Sequence, residues 1–79
     1  MDRLIERVRD AIAEVAEVDP ASVGPDSHVA DLGLDSVGTV ELLKLIEDRF
    51  DLRIPPEDAI HLTTVRAFAR YVQHQARPR

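Results

Sequence analysis

Seventy-nine residues with a net charge of −5 and no cysteine suffice for one small domain, in which roughly 60% of the unfolded surface is buried on folding. A hydrophobic content of 44%, with two Phe, one Tyr and no Trp, excludes a disordered chain and predicts a core of Leu, Ile and Val. The lack of cysteine excludes disulfides and thiolate metal sites, and the closely spaced charges of MDRLIERVRD, with no apolar run near the ~20 residues that span a bilayer, fit neither a signal peptide nor a membrane helix, so a soluble cytoplasmic protein is expected.

Asp2 is placed to cap a first helix, in which Leu4, Ile5, Val8, Ile12 and Val15 recur at three- and four-residue steps; this helix is expected to end near Val18. Asp19-Pro20 and Gly24-Pro25 then break the period, and the stretch to Asp35 reads as a long loop with Gly33 supplying a turn. Loops beyond about 12–15 residues are uncommon unless they pack or serve a function. Val23, Val29, Leu32 and Leu34 predict that this one packs across the bundle, with His28 half-buried among them.

A second helix is expected from Ser36 to Phe50, with Leu42, Leu45, Ile46 and Phe50 as its core face, broadened by Val40 and Leu43. Gly38 in its first turns costs up to ~1 kcal/mol relative to Ala. Ile54-Pro55-Pro56 forces an extended approach, and Pro56, Glu57 and Asp58 suit the first turn of a short third helix ending near His61. Thr63 or Thr64 caps a fourth helix, in which Val65, Phe68, Ala69, Val72 and Ala76 hold the cleanest helical period of the chain. The expected architecture is all-α: a four-helix bundle with a short third helix and a long loop between helices one and two, residues 1–76 forming the domain and 77–79 a frayed tail.

Charge is unevenly spread. Asp26 to Asp58 holds nine acids against Lys44, Arg49 and Arg53, a balance of −6, while the flanks hold six acids and seven bases, a balance of +1. An acidic centre repels nucleic acid and favours encounter with basic patches on other proteins, or it is simply a solvated surface that keeps the chain monomeric and dispersed.

The run DLGLDSVGTVELLKLIEDRF puts Ser36 where the loop meets the second helix. Unpaired N–H groups and partial positive charge at a helix start favour a phosphate there. On the local pattern alone, the favoured reading is that Ser36 or Asp35 is simply the helix cap. A catalytic nucleophile is disfavoured: Leu34 stands two residues before the serine where a G-x-S-x-G elbow needs Gly, no strand precedes it, and His28, His61 and His74 lie in separate segments with no ligand-like spacing. The expectation is a protein that is not an enzyme and holds no metal.

Asp31-Leu32-Gly33-Leu34-Asp35-Ser36-Val37, followed by Val40-Glu41-Leu42, Glu47-Asp48, Phe50, Ile54-Pro55 and Thr64-Val65, resembles the acyl carrier protein family over nearly the whole chain. The resemblance implies a four-helix carrier with 4′-phosphopantetheine, drawn from coenzyme A by a separate phosphopantetheinyl transferase, esterified to Ser36, where Asp35 completes the motif. It implies acyl groups carried as thioesters between acyl-loading, condensing and tailoring enzymes, with no nucleic acid or membrane partner. Asp35, Glu41, Glu47 and Asp48 resemble the acidic recognition positions of that family.

The sequence also departs from the family pattern. Val37 stands where Leu usually follows the serine, Gly38 where a polar residue is common, and Lys44 where fatty-acid carriers often have an apolar contact. These three join the expected recognition residues; Lys44 counts against housekeeping fatty-acid synthesis, and the nine Arg against one Lys hint at a polyketide-type or other specialised pathway. An aminoacyl or peptidyl carrier of nonribosomal assembly is the alternative, against which LGLDS weighs because those carriers more often show LGG-x-S. An unmodified helical interaction module, its serine only a cap, is the reading from another class.

Overall fold

The computed structural model describes residues 2–75, the side chain of Asp2 excepted. The expected Asp2 cap, the contribution of Ala76 and the tail 77–79 therefore lie outside the described residues. Among the described residues there are four α-helices: α1 (Asp2–Ala16), α2 (Ser36–Phe50), α3 (Pro56–Ala59) and α4 (Val65–Gln75). The expected all-α bundle, with a short third helix and a long first connection, is the fold observed.

α1 stops at Ala16, short of the expected Val18, because Glu17 turns into the left-handed region at φ 59°. The Val18 N–H then donates to the Ala13 carbonyl at 3.1 Å and the Glu17 N–H to the Glu14 carbonyl at 3.3 Å. This crossed pair satisfies two helix-end carbonyls and folds Val18 back onto the core. α2 ends in a related way: Asp51 takes φ 55° and the Leu52 N–H reaches the Glu47 carbonyl at 3.1 Å.

The long connection contains two 3-10 turns, Pro20–Ser22 and Val29–Leu32. Asp19 caps the first by accepting the Ala21 N–H at 2.9 Å, and Gly33 closes the second at φ 81°. The loop is sewn to the start of α4. The Val29 N–H donates to the Thr63 carbonyl at 2.9 Å, the Val65 N–H to the Ser27 carbonyl at 3.3 Å and the Arg66 N–H to the Pro25 carbonyl at 2.8 Å. The Arg66 guanidinium also grips both carboxylate oxygens of Asp26 at 2.9 and 3.4 Å, and this contact holds the Asp26 carboxyl below its ordinary pKa. Val23 and Val29 are buried as expected, but His28 is exposed rather than half-buried. Its backbone pairs with Thr64 in an isolated antiparallel bridge, while neighbouring Val29 takes the core position.

The core lies where α1 packs along both α2 and α4. Val8, Ala11, Ile12 and Ala13 of α1 meet Leu42 and Ile46 of α2 and Val65, Phe68, Ala69 and Val72 of α4, all essentially excluded from solvent. Leu45 and Phe50 are half-buried against this cluster. Val40, expected to broaden the core face, is 50% exposed, because two residues before Leu42 is nearly the opposite side of a 3.6-residue turn. α3 ends at Ala59 rather than His61: the His61 and Leu62 N–H groups bond three residues back, to Asp58 and Ala59, which tightens the exit into a 3-10 form. The Thr64 hydroxyl accepts the Ala67 N–H at 3.1 Å, so Thr64 is the α4 cap. Thr63, the other candidate, is occupied through its carbonyl with Val29.

Candidate functional site

The start of α2 is fixed by three consecutive residues with different tasks. Gly33 reverses the chain, Leu34 leans on the core, and Asp35, in extended conformation, delivers its carboxylate to the Gly38 N–H at 2.7 Å. The Asp35 carbonyl accepts from Thr39 at 2.9 Å, so the residue caps the helix with both side chain and backbone. Of the two cap candidates, Asp35 does the capping. Ser36 is the first helical residue and is exposed, and its hydroxyl has no hydrogen-bond partner among the described residues. The Ser36 and Val37 N–H groups belong to the first turn, where no preceding carbonyl pairs them and the helix dipole is positive.

Gly38, expected on the surface beside Ser36, is buried. A Cβ there would lie 3.0 Å from Leu34 Cδ2 and 3.3 Å from Asp35 Oδ1, so the missing side chain is a packing feature of the cap rather than part of the outer surface. Val37 and Val40, by contrast, are 68% and 50% exposed. Together with Ser36, Glu41 and Lys44 they line a shallow, mainly apolar depression on the outside of α2. Asp48 is exposed but stands twelve residues beyond Ser36, about 18 Å along the helix. Glu47 is only half-exposed and is engaged: its Oε2 accepts the Ile54 N–H at 2.8 Å, which ties the chain after α2 back to the helix. The expected acidic set thus separates into Asp35 as cap, Glu47 as tie, and Glu41 and Asp48 facing solvent. The three histidines, His28, His61 and His74, stand exposed on three different segments.

Residues 6–72 match the family described as the phosphopantetheine attachment site. The chain belongs to the acyl carrier protein family. Its prosthetic group is 4′-phosphopantetheine, held covalently, and the start of α2 suits such a group: an accessible hydroxyl without a structural task sits beside N–H groups able to face a phosphate. Carriers of this family meet phosphopantetheinyl transferases and biosynthetic enzymes. No described helix of this carrier is long and apolar enough to cross a membrane.

One residue escaped the reading of the sequence. Tyr71 of α4 donates its hydroxyl to Asp58 Oδ2 at 2.7 Å and lies 3.4 Å from the Arg53 carbonyl oxygen. Partial burial, then the Asp58 hydrogen bond and the negative charges of Asp58, Glu57 and Glu47, push its phenol up to about 12. The available signal was the sole Tyr of the chain, set among apolar α4 positions with two acids in the preceding helix.

Proposed function

We propose that Ser36 is the attachment residue and that the protein is an acyl carrier, not an enzyme, serving a polyketide-type or other specialised pathway in the cytoplasm. The observation that supports Ser36 is the division of labour at the head of α2: Asp35 takes the Gly38 N–H, and none of the described residues engages the exposed Ser36 hydroxyl. The attached group supplies the reactive thiol, on a long tether, that a cysteine-free chain lacks, and holds acyl groups as thioesters. The chain itself positions that hydroxyl, offers N–H groups toward the phosphate, and presents Val37, Val40, Glu41 and Lys44 next to it. Acidic side chains such as Glu41 and Asp48 raise the encounter rate with basic patches on partner enzymes without slowing release.

Intact-protein mass measurement after incubation with coenzyme A and a broad-specificity phosphopantetheinyl transferase tests the assignment. The parent is expected to gain one arm and Ser36→Ala none; a parent that gains nothing, or a mutant that gains equally, sinks it. Offering the product to malonyl transferases and to amino-acid adenylating enzymes separates the pathways. Loading with malonyl groups supports the polyketide-type reading, and loading only with amino acids replaces it with the aminoacyl carrier.

A further inference from the structure

Lys44 is the sole lysine of the chain, against nine arginines. The difference is chemical: an arginine stays protonated in proteins, whereas a lysine amine is a nucleophile once it is neutral. Lys44 is exposed, and among the described residues no carboxylate pairs with it; the ion pairs join Arg9 to Asp10, Arg49 to Glu14 and Arg66 to Asp26. Its amine is therefore not committed to holding the fold.

Position gives that amine something to attack. Ser36, Val37, Val40, Glu41 and Lys44 border one mainly apolar depression, with Ser36 first and Lys44 last along α2. Eight residues of helix separate them by about 12 Å along the axis. A phosphopantetheine chain runs about fourteen bonds from the serine oxygen to its sulfur, and spans about 16 Å at the rise per bond of an extended backbone. A thioester carbonyl on that sulfur reaches Lys44 with slack, over a floor made by the exposed Val37 and Val40.

We infer that Lys44 is an intramolecular acceptor for the acyl group the carrier holds. The inference rests on Ser36 being the attachment residue. Lys44 Nζ, in its neutral form, attacks the thioester carbonyl: the N–C bond forms, the C–S bond breaks with its electron pair leaving on sulfur, and the proton lost by nitrogen restores the thiol. Nothing is oxidised or reduced, and the amide, being more stable than the thioester, does not return the acyl group. A short flexible tether holds the acyl group near the amine at an effective concentration of about 1 mM. Cargo that no enzyme removes thus ends on α2 as an Nζ-amide, which frees the thiol and removes the cation from this face.

Acetyl-coenzyme A with a broad-specificity phosphopantetheinyl transferase installs the acetylated arm in one step, after which the full chain is freed of coenzyme A and kept in mildly alkaline buffer. Intact mass confirms the arm, hydroxylamine strips acetyl from sulfur but not from nitrogen, and fragment masses locate what remains. The resistant acetyl group is expected on Lys44, at a rate independent of protein concentration. In Ser36→Ala with about 10 μM acetyl-coenzyme A the same amine meets only an untethered thioester, and acetylation is expected to be about a hundredfold slower. Lys44→Arg combined with Arg49→Lys moves the sole lysine about 20 Å along the helix from Ser36, to the side where Arg49 meets Glu14 of α1. The resistant fraction per armed molecule should then fall about tenfold or more, because the tether no longer spans the gap. Resistant acetyl confined to the N-terminal amine, an equal yield at position 49, or a rate proportional to protein concentration overturns the inference. A loaded chain that stays wholly hydroxylamine-labile overturns it too while leaving Ser36 as the attachment residue, and a chain that never gains the arm overturns both.

Discussion

Removing Asp35 and Ser36 in turn separates the cap from the proposed attachment residue. Asp35→Ala deletes the 2.7 Å bond to the Gly38 N–H and leaves a donor of a buried residue unpaired. Cap losses cost about 0.5–2 kcal/mol, and the short, charge-assisted geometry puts this one in the upper part, about 1–2 kcal/mol. In a domain of 60–100 residues each kcal/mol moves the melting point by about 4–8 °C, so a drop of about 4–16 °C is expected by circular dichroism. Ser36→Ala removes an exposed hydroxyl with no partner among the described residues, and should stay within about 0.5 kcal/mol of the parent. Asp35→Asn retains an acceptor oxygen and is expected to melt close to the parent, since Asn and Asp cap almost equally well. If Ser36→Ala falls as far as Asp35→Ala, the hydroxyl is part of the cap and the division of labour at the head of α2 is wrong.

The left-handed residues at the ends of α1 and α2 have side chains where glycine costs least; Glu17→Gly and Asp51→Gly should each raise stability by up to about 1 kcal/mol in urea titrations. Glu47→Ala strips the Ile54 N–H of its partner and is expected to cost about 1–3 kcal/mol. Glu41→Lys should leave the melting point unchanged and slow processing by the transferase more at low salt than at high salt; a salt-independent effect would count against an electrostatic role. Tyr71 carries a pH signature. Its folded value, about 12, lies above the ordinary 10.0, so the stabilisation is complete below the unfolded value and is lost as pH rises from there through the folded one. The urea midpoint of the parent should therefore fall more steeply in that alkaline window than that of Tyr71→Phe, and equal slopes would show that the phenol does not contribute.

The helices with sustained apolar periods were legible from sequence because burial follows the period: Val8 and Ile12 in α1, Leu42 and Ile46 in α2, and Val65, Phe68, Ala69 and Val72 in α4 all reached the core. Their ends were less legible. Glu17 is not a residue that advertises a left-handed turn, and Asp51, though of a type that tolerates one, stands among several acids with nothing to single it out; the bonds that close α1 depend on Val18 finding an apolar contact across the chain. Val40 was misplaced because a broad apolar stripe on paper does not reveal how much of it a partner helix can cover. The long loop was legible as a packed loop, but not its attachment to α4, which rests on backbone groups of Pro25, Ser27, Val29 and Thr63 and on an Asp26–Arg66 ion pair between residues forty positions apart, which no local pattern signals. At the site, sequence alone left Asp35 and Ser36 as interchangeable caps. Only the direction of the Asp35 carboxylate separates them.

That separation also narrows the proposed recognition surface. A residue whose polar atoms already serve the fold cannot be re-aimed at a partner without a stability cost, and several expected recognition residues are of this kind. Asp35 is spent on Gly38, Glu47 on Ile54, and Gly38 has no side chain to offer because Leu34 fills the space. Free of structural duty next to Ser36 are Val37, Val40, Glu41 and Lys44, with Asp48 farther along the same helix. Two exposed valines flanked by one acid and one base make a small, mixed surface. Such a surface gives weak apolar contact and orientation rather than strong charge attraction, which suits a carrier that must be released by each enzyme it visits. Lys44 is the residue on this face that breaks the acidic run of α2, and a partner fitted to it needs an acceptor where a uniformly basic patch would be repelled. On the proposed reading, discrimination among partners is expected to rest on the cation at Lys44 and the two bare valines more than on the total acidity of the helix.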